Sequence, residues 1–149
     1  MIGPAIERAR PEDATGMAQV LGGWISATEW MPKLHSPAQD HWFCGHLIET
    51  CTVWVIRLPG VVGFLALQAD EIPALYLAPQ VRGQGLGPAL LNRAKAERDQ
   101  LGLWTFQANT PAIAFYRREG FTEDHRTNGE GNVEKLPDLR VIWTRKATR

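Results

Sequence analysis

An apolar strand that runs through a glycine-rich loop straight into a helix constrains this chain more than any other stretch. It reads Leu75-Tyr76-Leu77-Ala78-Pro79-Gln80-Val81-Arg82-Gly83-Gln84-Gly85-Leu86-Gly87-Pro88-Ala89-Leu90-Leu91. Leu75 to Leu77 is an apolar run closed by Pro79, and beyond the loop apolar residues recur at Leu86, Leu90 and Ala94 with polar Asn92, Lys95 and Asp99 on another face. Gly83, Gly85 and Gly87 lack a Cβ, so the backbone can turn sharply and let a ligand approach its N–H groups. Those groups, followed by a helix N-terminus, make a site for an anion such as a phosphate.

The glycine spacing separates the phosphate ligands that could use such a cradle. A nucleotide loop needs Gly-Lys followed by Ser or Thr, which is absent. A dinucleotide fold needs Gly-x-Gly-x-x-Gly, whereas these glycines alternate, and Leu103 to Gln107 offers no acid for a ribose. The loop instead resembles the acetyl-coenzyme A signature of the GNAT superfamily of N-acetyltransferases, Arg/Gln-x-x-Gly-x-Gly/Ala, in two registers: Gln80 through Gly85 and Arg82 through Gly87. A second block, Asn109-Thr110-Pro111-Ala112-Ile113-Ala114-Phe115-Tyr116-Arg117-Arg118-Glu119-Gly120-Phe121, resembles the other hallmark of that superfamily, Asn-x-x-Ala-x-x-Phe-Tyr-x-x-x-Gly-Phe.

Around these blocks the chain divides into elements. Ile2 to Ala9 is a first strand, Pro11-Glu12-Asp13 opens a helix toward Thr28, and Ser36-Pro37-Ala38-Gln39 is a capping box for a second helix ending near Glu49. Cys51 to Leu58 and Val61 to Ala69 form a hairpin across Pro59-Gly60, and Ile72 to Leu77 is the fourth strand. The helix after the loop is expected to end near Gly102 as a left-handed cap, before a strand from Leu103 to Gln107. Thr110 with Pro111 caps a further helix closed by Gly120, Phe121 opens the sixth strand, and Leu139 to Trp143 is the last. The order β-α-α-β-β-β-α-β-α-β-β describes an α/β (α+β) domain over residues 1–149, with a sheet of about seven strands flanked by helices. The resemblance implies that this sheet is mixed and mostly antiparallel.

The 16 basic and 16 acidic side chains cancel, with a pI near 6.9, so no global field draws the chain to nucleic acid or an anionic membrane. Neither a signal peptide nor an apolar run of spanning length occurs, so the expected location is cytoplasmic. Cys44 and Cys51 fit no metal or redox spacing, and His35, His41, His46 and His125 form no ligand set; no metal is assigned. Homodimerisation is left open.

The resemblance implies acetyl-CoA as co-substrate, its pantetheine arm entering between the fourth and fifth strands beside Tyr76 and Leu77. The pyrophosphate would lie on the amides of Gly83, Gln84, Gly85, Leu86 and Gly87, with Arg82 supplying charge and Asn109 a further contact. Pro88 departs from the pattern, since it has neither N–H nor hydroxyl. Tyr116 corresponds to the tyrosine that donates a proton to the departing thiolate, and an amide near Leu77 would polarise the carbonyl. Glu71, at the start of the fourth strand, is the candidate base, with bulk water as the other route. The acceptor, a small-molecule or peptide amine and more readily a small one, is expected between the Trp30–Ser36 loop and the Thr127–Asp138 segment. Trp30, His35, Glu130 and Glu134 are its candidate contacts: acids with an aromatic wall suit a cationic amine. The alternative of another class is a catalytically silent acyl-CoA-binding sensor on the same fold, which would not need Tyr116.

Overall fold

The computed structural model describes residues 4–146, so the first residues of the expected N-terminal strand lie outside the described part. Strands β1 (Ala5–Arg8), β2 (Thr52–Arg57), β3 (Val61–Gln68), β4 (Glu71–Leu77), β5 (Gln100–Phe106), β6 (Thr122–Thr127) and β7 (Asp138–Thr144) form one sheet. Its order is β1-β2-β3-β4-β5-β7-β6. All neighbours pair antiparallel except β4 and β5, which run parallel. Helices α1 (Ala14–Ala27) and α2 (Pro37–Thr50) cover one face, and α3 (Leu86–Glu97) and α4 (Thr110–Arg118) the other.

Local chemistry explains the element boundaries. The Ser36 hydroxyl accepts from the Gln39 amide at 3.2 Å and the Gln39 side chain accepts from the Ser36 amide at 2.7 Å, with Pro37 in the first turn, so the capping box starts α2 as expected. Pro11–Asp13 is a short 3-10 turn and α1 proper begins at Ala14. Helix α3 stops at Glu97, five residues before Gly102, and β5 starts at Gln100. Gly102 is thus a strand residue rather than a helix cap. A Cβ there would overlap the guanidinium of Arg140, which reaches from β7 across β5 to Glu71 on β4.

The core lies in two layers. Leu65, Leu67, Leu90, Leu91, Leu101 and Leu103 belong to the α3–α4 side, while Met17, Val55, Phe64, Cys44 and Leu47 fill the α1–α2 side. Cys44 is buried and its thiol is pushed up to about 12, chiefly by burial, so it stays a protonated packing residue; Cys51 is half-buried and also free. Asp13 ties α1 to the sheet, accepting from both terminal nitrogens of Arg57 at 2.6 and 2.7 Å and from the Arg10 amide at 2.7 Å.

The Arg57 hydrogen bonds, helped by the Arg10 amide and by charge, hold the Asp13 carboxyl below its ordinary 3.8 despite its burial. Its contribution to stability is therefore complete above pH 3.8 and lost as pH falls through the lower folded-state value. Asp13→Ala, which strands Arg57, is expected to cost about 3 kcal/mol near neutrality. Urea unfolding followed from neutral pH down past the ordinary carboxylate value should show this difference shrinking on the acid side; a constant difference would refute the linkage.

Candidate active site

The site is built where the sheet comes apart. Strands β4 and β5 pair at Glu71↔Gly102 alone, with the Gly102 amide donating to the Asp70 carbonyl at 2.8 Å. In the β3–β4 ladder, two steps from Ala66 to Gln68 face three from Ala74 to Glu71, so β4 bulges by one residue around Ile72 and Pro73. Past the bulge the parallel strands diverge, leaving a V with unpaired backbone groups on its arms. The bulge also changes which face each side chain takes. Leu75 and Leu77 turn to the α3–α4 layer, and Ala74 and Tyr76 to the α1–α2 layer.

At the V's apex Glu71 accepts from Arg140 through both oxygens, at 2.5 and 2.7 Å, and this pairing holds the guanidinium pKa above its usual value. Glu71, the expected base, thus has both oxygens engaged by one partner, and it lies outside the lining of the main cavity described below.

At the mouth, after the 3-10 turn Pro79–Val81, Gly83 and Gly85 adopt left-handed φ of 75° and 79°. These are the two turning glycines, so the Gln80–Gly85 register supplies the loop. Gly87 already lies inside α3 and serves contact instead: a Cβ there would meet the Phe115 ring at 3.2 Å. The first helical bond runs from the Ala89 amide to the Gly85 carbonyl at 3.2 Å, so the Leu86 and Gly87 amides precede it and Pro88 adds none. The Gly83, Gln84 and Gly85 amides, on exposed residues, likewise donate to no backbone carbonyl among the described residues. The Gln84 and Arg82 side chains donate to the Gln80 and Leu77 carbonyls, each at 3.3 Å. Asn109 caps α4, its side chain accepting from the Ala112 amide at 3.3 Å.

Tyr116 descends from α4, packed between Phe115 and Phe121 with ring centroids at 5.1 and 5.5 Å. It is only 8% exposed, and burial pushes its phenol well above the usual value, so the hydroxyl stays protonated. Among the described residues no sealed side-chain polar atom lacks a hydrogen-bond partner, yet the Tyr116 hydroxyl has none among them, so it opens into free space. Tyr116 belongs to the α3–α4 layer and Tyr76 to the α1–α2 layer, so the two phenols lie on opposite faces of the sheet.

On the α1–α2 side lies a cavity of about 940 Å³ lined by Tyr76 and Pro73 from β4, Trp104, Thr105 and Phe106 from β5, and residues of α2 and the β6–β7 loop. The rings of Phe106, Trp30, Trp24 and Tyr76 follow one another at 5.7, 5.9 and 5.3 Å, bridging the gap between the diverging strands. Of the expected acceptor contacts, His35 and Glu134 line this cavity. Trp30 and Glu130 do not line it: Trp30 packs edge-on against Phe106, and Glu130 is exposed, its carbonyl taking the Lys135 ammonium at 2.7 Å. Tyr76, expected beside the cofactor, lines this cavity too, its phenol pushed up to about 12, chiefly by burial, with the negative charges of Glu134 and Asp40 adding to it.

Sequence reasoning missed Asp40, Trp42 and Phe43 of α2, which also line the cavity; Asn132 and Val133 lie in the Thr127–Asp138 segment expected to wall it, and Trp104 in the fifth strand. Asp40 carried a signal: with Cys44 and Leu47 it forms the buried stripe of α2, so an acid stood at an apolar position.

A sheet split between parallel strands, with an amide-lined loop at its mouth on one side and a cavity on the other, leaves room for two ligands on opposite faces of one opening. The model of the acetyltransferase (GNAT) domain matches residues 49–123. Salmonella typhimurium peptidyl-lysine N-acetyltransferase YjaB is 33% identical over 140 residues, covering 93% of this chain and 97% of that protein. The solution structure of apo YjaB from Escherichia coli superposes with a TM-score of 0.79 at 22% identity, over 97% of this chain and 100% of the other. Salmonella typhimurium yncA, solved with its cofactor acetyl-CoA, gives 0.73 at 17% identity over 99% and 97%. The chain belongs to the GNAT acetyltransferase family and is an N-acetyltransferase.

Proposed function

We propose that the protein transfers the acetyl group of acetyl-CoA directly to a primary amine at the end of an alkyl arm, the lysine side chain being the form in which the YjaB relatives are named. The observation that carries this reading is the unpartnered Tyr116 hydroxyl on one side of the V with an acid-bearing aromatic cavity on the other. Exposed Trp42, Val133 and Trp104 at the cavity wall suit an acceptor larger than the arm itself.

In this reading the thioester lies in the V, its carbonyl oxygen on a β4 amide near Leu77 and its pyrophosphate on the Gly83–Gly87 amides, with Arg82 swung onto the phosphates. The neutral amine attacks the carbonyl carbon from the cavity side and the C–S bond breaks. Tyr116 donates to the departing sulfur, and the amine proton leaves through water. Glu71 pins the apex of the V rather than taking the proton, because both its oxygens are occupied by Arg140.

Calorimetric titration with acetyl-CoA, coenzyme A, NAD and ATP is the direct test. Binding of the two coenzyme A species alone, followed by thiol release on adding an alkylamine or a lysine peptide, is the expected result. Failure of any coenzyme A species to bind would overturn the reading. Binding without thiol release from any amine would leave the silent sensor instead.

A further inference from the structure

Asp40 is the least expected group in the molecule. It is 8% exposed, in the first turn of α2, with its carboxylate against Gly22 of α1: a Cβ on Gly22 would lie 3.7 Å from Oδ2. Among the described residues neither oxygen accepts a hydrogen bond or meets a cation within 4 Å. Since no sealed polar side-chain atom is left without a partner, these oxygens open on cavity space. That space is double. Asp40, His35 and Ile25 line both the main cavity and a side cavity of about 130 Å³, walled by Gly22, Ser26, Lys33, Leu34 and Pro37 and by no strand residue. Asp40 therefore marks the junction on the helical side, while the main cavity extends from it to the V at Tyr76 and Phe106.

A buried carboxylate with no partner is costly to keep, and its burial raises its pKa, with His35 pulling the other way. Of the surrounding groups, Lys33 and His35 are exposed and make no ion pair with it, the α1 residues lining the two cavities, Leu21, Gly22, Ile25 and Ser26, carry no charge, and Glu134 adds a second negative charge to the main cavity. The remaining partner that would relieve the site is a cation brought by the ligand.

We propose that Asp40 is an anchor for a second cationic group on the acceptor, an ammonium or guanidinium separated by an alkyl spacer from the amine that reacts at the V. This deepens the acetyltransferase reading and rests on it for the reacting end alone. Aromatic Trp42 and Phe43, on the same helix, give the spacer apolar surface. The second charge comes either from a small diamine or from a basic residue beside an acceptor lysine, and matched acceptors separate the two.

The protein and its Asp40→Asn variant, which keeps shape and removes charge, are compared with 1,5-diaminopentane and 5-amino-1-pentanol, and with capped Lys-Arg and Lys-Gln dipeptides. In the wild type kcat/KM is expected to favour the doubly charged member of at least one pair by about tenfold, falling to parity in Asp40→Asn. The favoured pair identifies the source. The Kd of the favoured dication, measured calorimetrically, should weaken by about tenfold in the variant. Parity in both pairs for the wild type, a preference that survives in Asp40→Asn, or a calorimetric Kd for both dications unchanged within about twofold would each overturn the anchor. Should no amine release thiol, the acetyl-transfer reading fails while the Kd comparison still decides Asp40. If Asp40 served only the helix dipole, the variant would melt lower and bind dications equally well.

Discussion

Tyr116→Phe is expected to lower turnover about 100-fold while leaving the Kd for acetyl-CoA within about twofold. The ring sits between Phe115 and Phe121, and phenylalanine fills the same volume, so packing is preserved. What disappears is one hydroxyl that has no hydrogen-bond partner among the described residues and that burial keeps protonated. Its absence leaves the departing thiolate without a positioned proton donor, which raises the barrier of bond cleavage rather than weakening binding. Rapid-quench turnover beside calorimetry checks the split, and equal turnover in the variant would remove the acid role. Glu71→Gln is the companion: as a pin it loses a charged partner of Arg140 and lowers Tm with turnover reduced only a few-fold, whereas as a base it would match Tyr116→Phe.

The two motifs were legible because each is local. A strand, a turn needing left-handed residues and a helix follow one another in the chain, so Gly83 and Gly85 could be read as the loop before any tertiary contact was known. The capping box at Ser36 is equally local. What the sequence hid depends on partners far away. Gly102 looked like a helix stop, yet its missing side chain serves Arg140, 38 residues later, on its way to Glu71. Glu130 and Glu134, four residues apart in a loop without periodicity, point to different surroundings, and only Glu134 reaches the cavity. Asp40 shows the converse case, a non-local role with a local trace in the spacing of α2.

Gly129→Ala is expected to raise the acceptor KM at least about tenfold through a mechanism remote from any reacting atom. The β6–β7 loop is held by its own polar groups. Thr127 donates to Asp138 and accepts from the Gly129 amide at 3.1 Å, while Asn132 donates to the Leu136 carbonyl at 2.8 Å and accepts from the Leu136 amide at 3.2 Å. This closure carries Asn132, Val133 and Glu134 to the cavity. It also drives the Leu136 backbone onto Gly129, where a Cβ would overlap the Leu136 carbonyl and lie 2.8 Å from its nitrogen, at a φ of 89° that side chains resist. Backbone cannot step aside as a flexible side chain does, so the loop must open and the acceptor wall moves with it. Gly131 provides the control in the same loop, since a Cβ there meets nothing within 4 Å and its φ is not left-handed. Gly131 lines the same cavity, but Gly131→Ala adds one methyl to open space without moving the backbone, so it should change the acceptor KM far less than Gly129→Ala, and both variants should bind acetyl-CoA like the wild type, because the donor loop lies on the other side of the V. Equal acceptor KM values for the two variants would show that this wall does not shape the acceptor site, and a loss of coenzyme affinity in Gly129→Ala would show that the two faces of the V are not independent.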